Sequence, residues 1–332
     1  MSLNNKGCGC AFILIAVLGL LFMGLVGGVA YWAVGPSIRC QLPSDGFIGD
    51  EWSAHTVVSD GDERCYYLYI PSTIDNSQAV PLVVSMHGFL MNPDSQVELS
   101  GWHELAEREG FMVAYPQGTG FPQRWNAGEE WGSEDVDDVA FFQDVVKDVS
   151  QQVDVDQTRV YVNGFSNGGG MSVRIACELA NEVAAVGTVA GAVVNLDDCR
   201  PSRPVPLIAF HGNADPIVNY YGLGMQQDLL RSGAELTDAP IHFLAAQDWV
   251  TQWAMLDGCD PVPETISLKS DVRKEYYTDC QDDVQVLLYT IDGGGHTWPG
   301  GTPIPGLGKT SGDIDATEEM WRFFQAYQLV TP

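Results

Sequence analysis

Ser166 lies in Gly164-Phe165-Ser166-Asn167-Gly168. An apolar, β-branched run, Arg159 to Asn163, precedes it, and a small-residue stretch from Gly169 to Ala180 that reads as a helix follows it. Strand, G-x-S-x-G and helix together make the setting of a nucleophile elbow, where glycines permit a sharp turn and keep side chains away from the serine hydroxyl. A serine hydroxyl is a weak nucleophile at neutral pH. It needs a base within hydrogen-bond reach and a carboxylate that orients the base. The chemistry of such a set is acyl transfer through a covalent intermediate.

Where Ser, acid and His follow one another in that order, the histidine must come late. Only His242 and His296 do so. His242 sits in Pro240-Ile241-His242-Phe243-Leu244 without a turn signal and reads as structural. His296 sits on a glycine loop, Gly293 to Gly301, beyond the apolar run Val284 to Ile291, and is the expected base. Asp215 is the expected acid. It stands in the turn Gly212-Asn213-Ala214-Asp215-Pro216 just past the apolar run Pro206 to His211, where catalytic groups of open α/β sheets gather. Asp197, Asp198 and Asp228 compete for the role, but none directly follows a strand. An oxyanion needs two backbone N–H donors. Asn167, after the serine, is one, and Phe89, in the loop opened by His87-Gly88, is the other, with Leu90 as the alternative. His87 is expected to brace that loop, and His211 to be structural.

These segments resemble the polyhydroxybutyrate depolymerase-like esterases, a group that includes the feruloyl and acetylxylan esterases of carbohydrate esterase family 1. The resemblance is carried by His87-Gly88, Gly164 to Gly168, His211 to Asp215 and Gly294-Gly295-His296-Thr297-Trp298-Pro299-Gly300, and it extends from about Asp45 to the C-terminus. It implies an α/β-hydrolase fold and a triad of Ser166, Asp215 and His296. It also implies action on polyesters, hydroxycinnamoyl esters or acetylated polysaccharide.

The elements that must position these residues alternate along the chain. Strands are expected at Asp45–Ser59, Arg64–Ile70, Val80–Met86, Phe111–Tyr115, Val160–Asn163, Ala184–Ala192, Pro206–His211 and Val284–Ile291. Helical spacing marks Trp102–Glu109, Asp137–Val149, Asp248–Leu256 and Thr317–Tyr327. Such alternation predicts an α/β protein with a mostly parallel central sheet and helices on both faces. Residues 39–332 are long enough for one large catalytic domain.

Residues 1–38 differ in kind. No charged residue occurs between Gly7 and Ile38, and Ala11 to Val34 is almost wholly apolar. That run suffices for a membrane crossing of about 20 residues and exceeds the usual signal-peptide core, so an N-terminal anchor is favoured over a cleaved signal. Six cysteines lie beyond it, and an even count on an exported segment suggests disulfides. The sequential pairing Cys40–Cys65, Cys177–Cys199 and Cys259–Cys280 is expected, without a metal. The chain has 16 Lys+Arg against 44 Asp+Glu, a net charge of −28. Such a charge speaks against nucleic acid or an anionic membrane surface as partner. The acidic stretch Glu129 to Asp138 reads as a solvated face.

The resulting expectation is an exported or membrane-anchored serine esterase that needs no cofactor and acts on a plant cell-wall or polyester-derived ester. A peptidase of the prolyl-oligopeptidase kind and a noncatalytic surface-binding protein are the alternatives. Leu90, Trp125, Trp131 and Trp298 are expected to line an aromatic substrate cleft, with Asn167 and Gln117 as further hydrogen-bonding groups.

Overall fold

The computed structural model describes residues 49–74, 77–128, 131, 136–222 and 241–330. Residues 1–38, expected to form an anchor or signal segment, and Cys40 and Asp228 lie outside them. Among the described residues, no helix is long and apolar enough to cross a membrane.

Ten strands form one sheet in the order β1-β2-β4-β3-β5-β6-β7-β10-β9-β8. They are β1 (Trp52–Ser59), β2 (Asp62–Tyr69), β3 (Val80–Met86), β4 (Met112–Pro116), β5 (Val155–Phe165), β6 (Ala185–Val189), β7 (Leu207–Gly212), β8 (Glu264–Lys269), β9 (Val272–Tyr277) and β10 (Val286–Ile291). The six central strands, β4-β3-β5-β6-β7-β10, run parallel. β3, β7 and β10 are buried at every residue, as continuous apolar runs must be when both sheet faces are covered.

The sheet is more mixed than expected. β1–β2–β4 at one side and β10–β9–β8 at the other pair antiparallel. For the outer pairs, β1–β2 and β8–β9, the cause is connection length. β1 and β2 are joined by Asp60 and Gly61, both at positive φ, and β8 and β9 by Ser270 and Asp271. A two-residue link can only reverse the chain, whereas a parallel partner needs a crossover.

The helices are α1 (Pro93–Ser100), α2 (Trp102–Glu109), α3 (Asp138–Gln152), α4 (Asn167–Glu178), α5 (Ala246–Leu256) and α6 (Ala316–Phe324). α3, α4 and α5 share one core with Val162, Val186 and Leu288. On the other face, α2 and α6 pack together. There Trp321 stacks on Phe111 at 3.8 Å, and Phe324 stacks on Tyr161 at 4.9 Å.

α1 and the β8–β9 hairpin had no clear sequence signal. α1 buries Gln96 and Ser100 beside Val97 and Leu99, so its inward face is not an apolar stripe. The Gln96 Nε2 donates to Ser85 Oγ at 3.0 Å. β8 is exposed along its whole length, so no alternation of apolar and polar residues marks it.

Cys177–Cys199 and Cys259–Cys280 are bonded as expected. Cys65 is also disulfide-bonded. Asp138, expected in a solvated acidic stretch, is instead fully buried and paired with Arg64 at 2.7 Å. Replacing Cys177 and Cys199 together by alanine should lower unfolding stability by about 2–4 kcal/mol through the freed loop. Urea unfolding of the variant against the oxidised protein measures this.

Candidate active site

Ser166 follows β5 immediately and has φ 55 and ψ −118. For a residue with a side chain this conformation is strained, and it persists only if the surroundings hold it. Three backbone hydrogen bonds do so. The Ser166 N–H donates to Val189 O at 2.9 Å, and Ser166 O accepts from Gly170 at 3.0 Å and Ala192 at 2.9 Å. Gly168 explains the second glycine of the motif. A Cβ there would lie 2.4 Å from the carbonyl oxygens of Met86 and His87.

Asp215 and His296 meet across two loops. His296 Nδ1 lies 2.7 Å from Asp215 Oδ2. The other carboxylate oxygen, Oδ1, accepts the N–H groups of Ile217 at 2.8 Å and Val218 at 2.9 Å. Burial works to raise the Asp215 pKa, but the attraction and hydrogen bond of His296, with His211 close by, outweigh it. The carboxyl is held well below the usual carboxylate range. An ionised Asp215 accepts a proton-bearing Nδ1, which leaves Nε2 of His296 as the basic nitrogen. The loops approach closely because both carry glycine. Ala214 N–H donates to Gly294 O at 2.9 Å, and a Cβ on Gly212 would lie 2.3 Å from that oxygen.

His211, next to this pair, bonds to Val218 O at 2.8 Å and lies 3.5 Å from Asp215 Oδ2. The shorter contact is its hydrogen bond, so His211 steadies the acid's loop. Of the competing acids, Asp197 and Asp198 are exposed, as is His242. Among the described residues no hydrogen bond joins Ser166 Oγ to His296. Both side chains line one cavity, and such a bond often closes only when substrate arrives.

The N–H groups of Phe89 and Asn167 make no hydrogen bond among the described residues. The Leu90 N–H, the alternative donor, is spent on Gln123 O at 2.9 Å. His87 is fully buried and braces this loop. Its Nε2 accepts the Gly118 N–H at 2.9 Å, so its Nδ1 carries the proton toward Gly88 O at 2.8 Å. Burial lowers its pKa to about 4, with Arg64 acting in the same direction and the Gly88 hydrogen bond opposing.

A cavity of about 430 Å³ opens over Ser166 and His296. It takes in Leu90 and Trp131 as expected. Trp125 and Trp298, also expected there, are excluded from it. Both are fully buried. Trp125 donates to His87 O at 2.8 Å, and Trp298 donates to Thr317 Oγ1 at 2.9 Å. The Asn167 side chain is likewise unavailable to a ligand. Its Oδ1 accepts the Trp125 N–H at 2.7 Å, and its Nδ2 donates to Trp125 O at 3.1 Å. Gln117 is no part of the cavity lining. Apolar side chains not foreseen complete the wall, among them Met91, Leu99, Phe243, Ile304 and Leu307. Leu99 lies in α1; for the others the one sequence signal was the placing of apolar residues in loops with glycine or proline, as in Ile304-Pro305-Gly306-Leu307.

Residues 64–217 match the family model described as "Esterase PHB depolymerase". This segment contains the elbow and the loop after β3 and ends just past Asp215. This segment of the chain belongs to the polyhydroxybutyrate depolymerase-like esterase family. Among its relatives, "Feruloyl esterase B" of Piromyces equi is 33% identical over 232 residues, covering 68% of this chain and 41% of that relative. "Feruloyl esterase D" of Neurospora crassa is 29% identical over 308 residues, covering 88% of this chain and 93% of the relative. The chain thus spans less than half of the Piromyces relative and nearly all of the Neurospora one. The solved structure of the acetyl xylan esterase from Aspergillus awamori superposes with a TM-score of 0.58 at 17% identity, over 82% of this chain and 99% of that one. At that identity the likeness is one of fold.

Two outcomes test the bracing of this family's elbow here. Asn167→Ala keeps the backbone N–H but removes two buried hydrogen bonds. It should cost about 2 kcal/mol of stability and lower turnover, both measurable on one preparation. For His87 the folded pKa lies below the unfolded value, so the unfolded chain takes up the proton first. Stability is therefore lost as pH falls from about 6.5 to about 4. Unfolding free energies across that range should fall less steeply for His87→Gln than for the unsubstituted protein.

Proposed function

We propose that this protein is a carboxylic ester hydrolase working through a serine acyl-enzyme. The observation that carries the reading is the strained Ser166 facing one cavity with a His296 whose Nδ1 is held 2.7 Å from the buried Asp215. Ser166 Oγ attacks the ester carbonyl carbon while His296 Nε2 takes the hydroxyl proton. The carbonyl oxygen becomes an oxyanion and is met by the N–H groups of Phe89 and Asn167. Asn167 begins α4, so the helix dipole adds to that stabilisation. The tetrahedral intermediate collapses, the C–O bond to the alcohol breaks, and His296 returns its proton to the leaving oxygen. Water, deprotonated by His296, then attacks the acyl-enzyme and releases the acid. Asp215 remains ionised and stabilises the imidazolium at each stage.

The aromatic part of the lining, Phe89, Trp131 and Phe243, favours acyl groups with an aromatic or extended hydrocarbon body. The relatives named for feruloyl esters fit that preference. An extracytoplasmic location is supported by the disulfides and by the apolar run Ala11 to Val34, which would serve for export or anchoring.

Hydrolysis of short-chain 4-nitrophenyl esters and methyl ferulate by the disulfide-intact protein tests the reading. Ser166→Ala should lose at least about a thousandfold in kcat, and Asp215→Asn on the order of ten-thousandfold. Ser166 should also be labelled by a fluorophosphonate. A folded protein that neither hydrolyses an ester nor takes the label would be a binding protein instead.

A further inference from the structure

The cavity over Ser166 has two walls of different origin. One is segment 302–307 together with the end of α1. This segment is tied to the base itself, since the His296 N–H donates to Leu307 O at 2.7 Å and the Gly295 N–H to Lys309 O at 2.9 Å. Its other end is fastened to α1. Thr302 Oγ1 donates to Glu98 O at 3.1 Å, and a Cβ on Gly301 would lie 2.2 Å from Leu99 O. Lys309 Nζ, 2.5 Å from Asp271, anchors it from outside. Ile304 and Leu307 face the cavity from this side, half-buried, with the exposed Glu98 at the rim. The second wall is a run of aromatic rings on the oxyanion-loop side. Phe89 lies 5.9 Å from Trp131, and Trp131 lies 6.1 Å from Phe243.

Three groups diverge from the tetrahedral carbon, and each has a different destination. The oxyanion points to the donors of Phe89 and Asn167. The leaving oxygen must lie within reach of His296 Nε2, which protonates it. The acyl chain takes the direction that remains. We propose that the segment bearing Ile304 and Leu307 binds the alcohol half of the ester, with Glu98 making it a subsite for a sugar. Phe89, Trp131 and Phe243 hold the acyl half. A pyranose or furanose has an apolar C–H face, which Ile304 and Leu307 match, and hydroxyls, for which the Glu98 carboxylate is an acceptor. The assignment rests on the ester-hydrolase reading above and adds to it which side takes which half.

The order of events supplies the test. The alcohol has left before deacylation begins, so a group that touches only the alcohol alters acylation and not deacylation. One acyl group that the protein cleaves, ferulate or acetate, is presented as its methyl ester and as its ester with arabinose. Leu307→Ala, Ile304→Ala and Glu98→Gln should each lower kcat/KM for the arabinose ester by about fivefold to tenfold, the loss of one apolar contact or charged hydrogen bond. The methyl ester should change less than about twofold, and so should the deacylation rate constant measured after a burst. Phe243→Ala should instead alter deacylation and affect both esters alike. Glu98 is exposed, so its substitution leaves the fold intact and keeps the comparison open if an apolar variant misfolds. Equal losses on the two esters, a changed deacylation constant in these variants, or no change on the arabinose ester would each overturn the assignment. An unsubstituted protein inert towards every ester would remove the ester-hydrolase reading itself, a result visible before any variant is compared.

Discussion

The approach of Gly168 to the carbonyl oxygens of Met86 and His87 is the contact on which the site depends. It presses the first turn of α4 against the end of β3, where no side chain can stand between them. Ser166 and the loop that carries His87 to Leu90 are thereby set by backbone packing. The strain at Ser166 persists because β6, the first turn of α4 and the loop after β6 hold the residue from three sides.

A second layer of polar contacts extends this rigidity. His87 links the oxyanion loop to Gly118, and Trp125 links it to the Asn167 side chain. Behind them, the buried Arg64–Asp138 pair reaches Gln117 O and the Asn126 N–H. A buried ion pair contributes little net stability, because desolvation offsets the attraction. Its effect here is to specify one arrangement of the loop that carries Gly118 and Trp125, since breaking any member leaves a buried polar group unpaired. The residues that position Ser166 are thus mostly not those that would touch a ligand.

The electrostatic character of the molecule changes sharply between surface and cavity. The chain carries a net charge of −28, yet the cavity lining is largely apolar. Desolvation alone would raise the pKa of Asp215. It stays ionised because His296, His211 and two backbone N–H groups surround it. The acidic surface therefore bears on solubility and partners, while the chemistry is set by local pairing.

The placing of Ser166, Asp215 and His296 beside one another was legible in the sequence because each lies where an apolar run stops at glycine. In a parallel sheet such stops fall at one edge, and that local rule needs no knowledge of packing. The central strands were legible for a similar reason, since burial on both faces leaves an uninterrupted apolar run. α1 and the β8–β9 hairpin were not. Their residues satisfy contacts made by distant parts of the chain or face water, and neither pattern has a period. The sorting of the tryptophans was also beyond the sequence. Trp125, Trp131 and Trp298 sit in similar glycine-rich loops, and only their partners separate them. Trp125 and Trp298 each found a buried acceptor and joined the scaffold, while Trp131 packs beside Phe89 and Phe243 on the cavity wall. Types and spacing singled out Ser166, Asp215 and His296 as groups with the chemistry for acyl transfer. The distances between loops that are far apart in the chain decided what surrounds them, because those distances are set by the packing of the whole sheet.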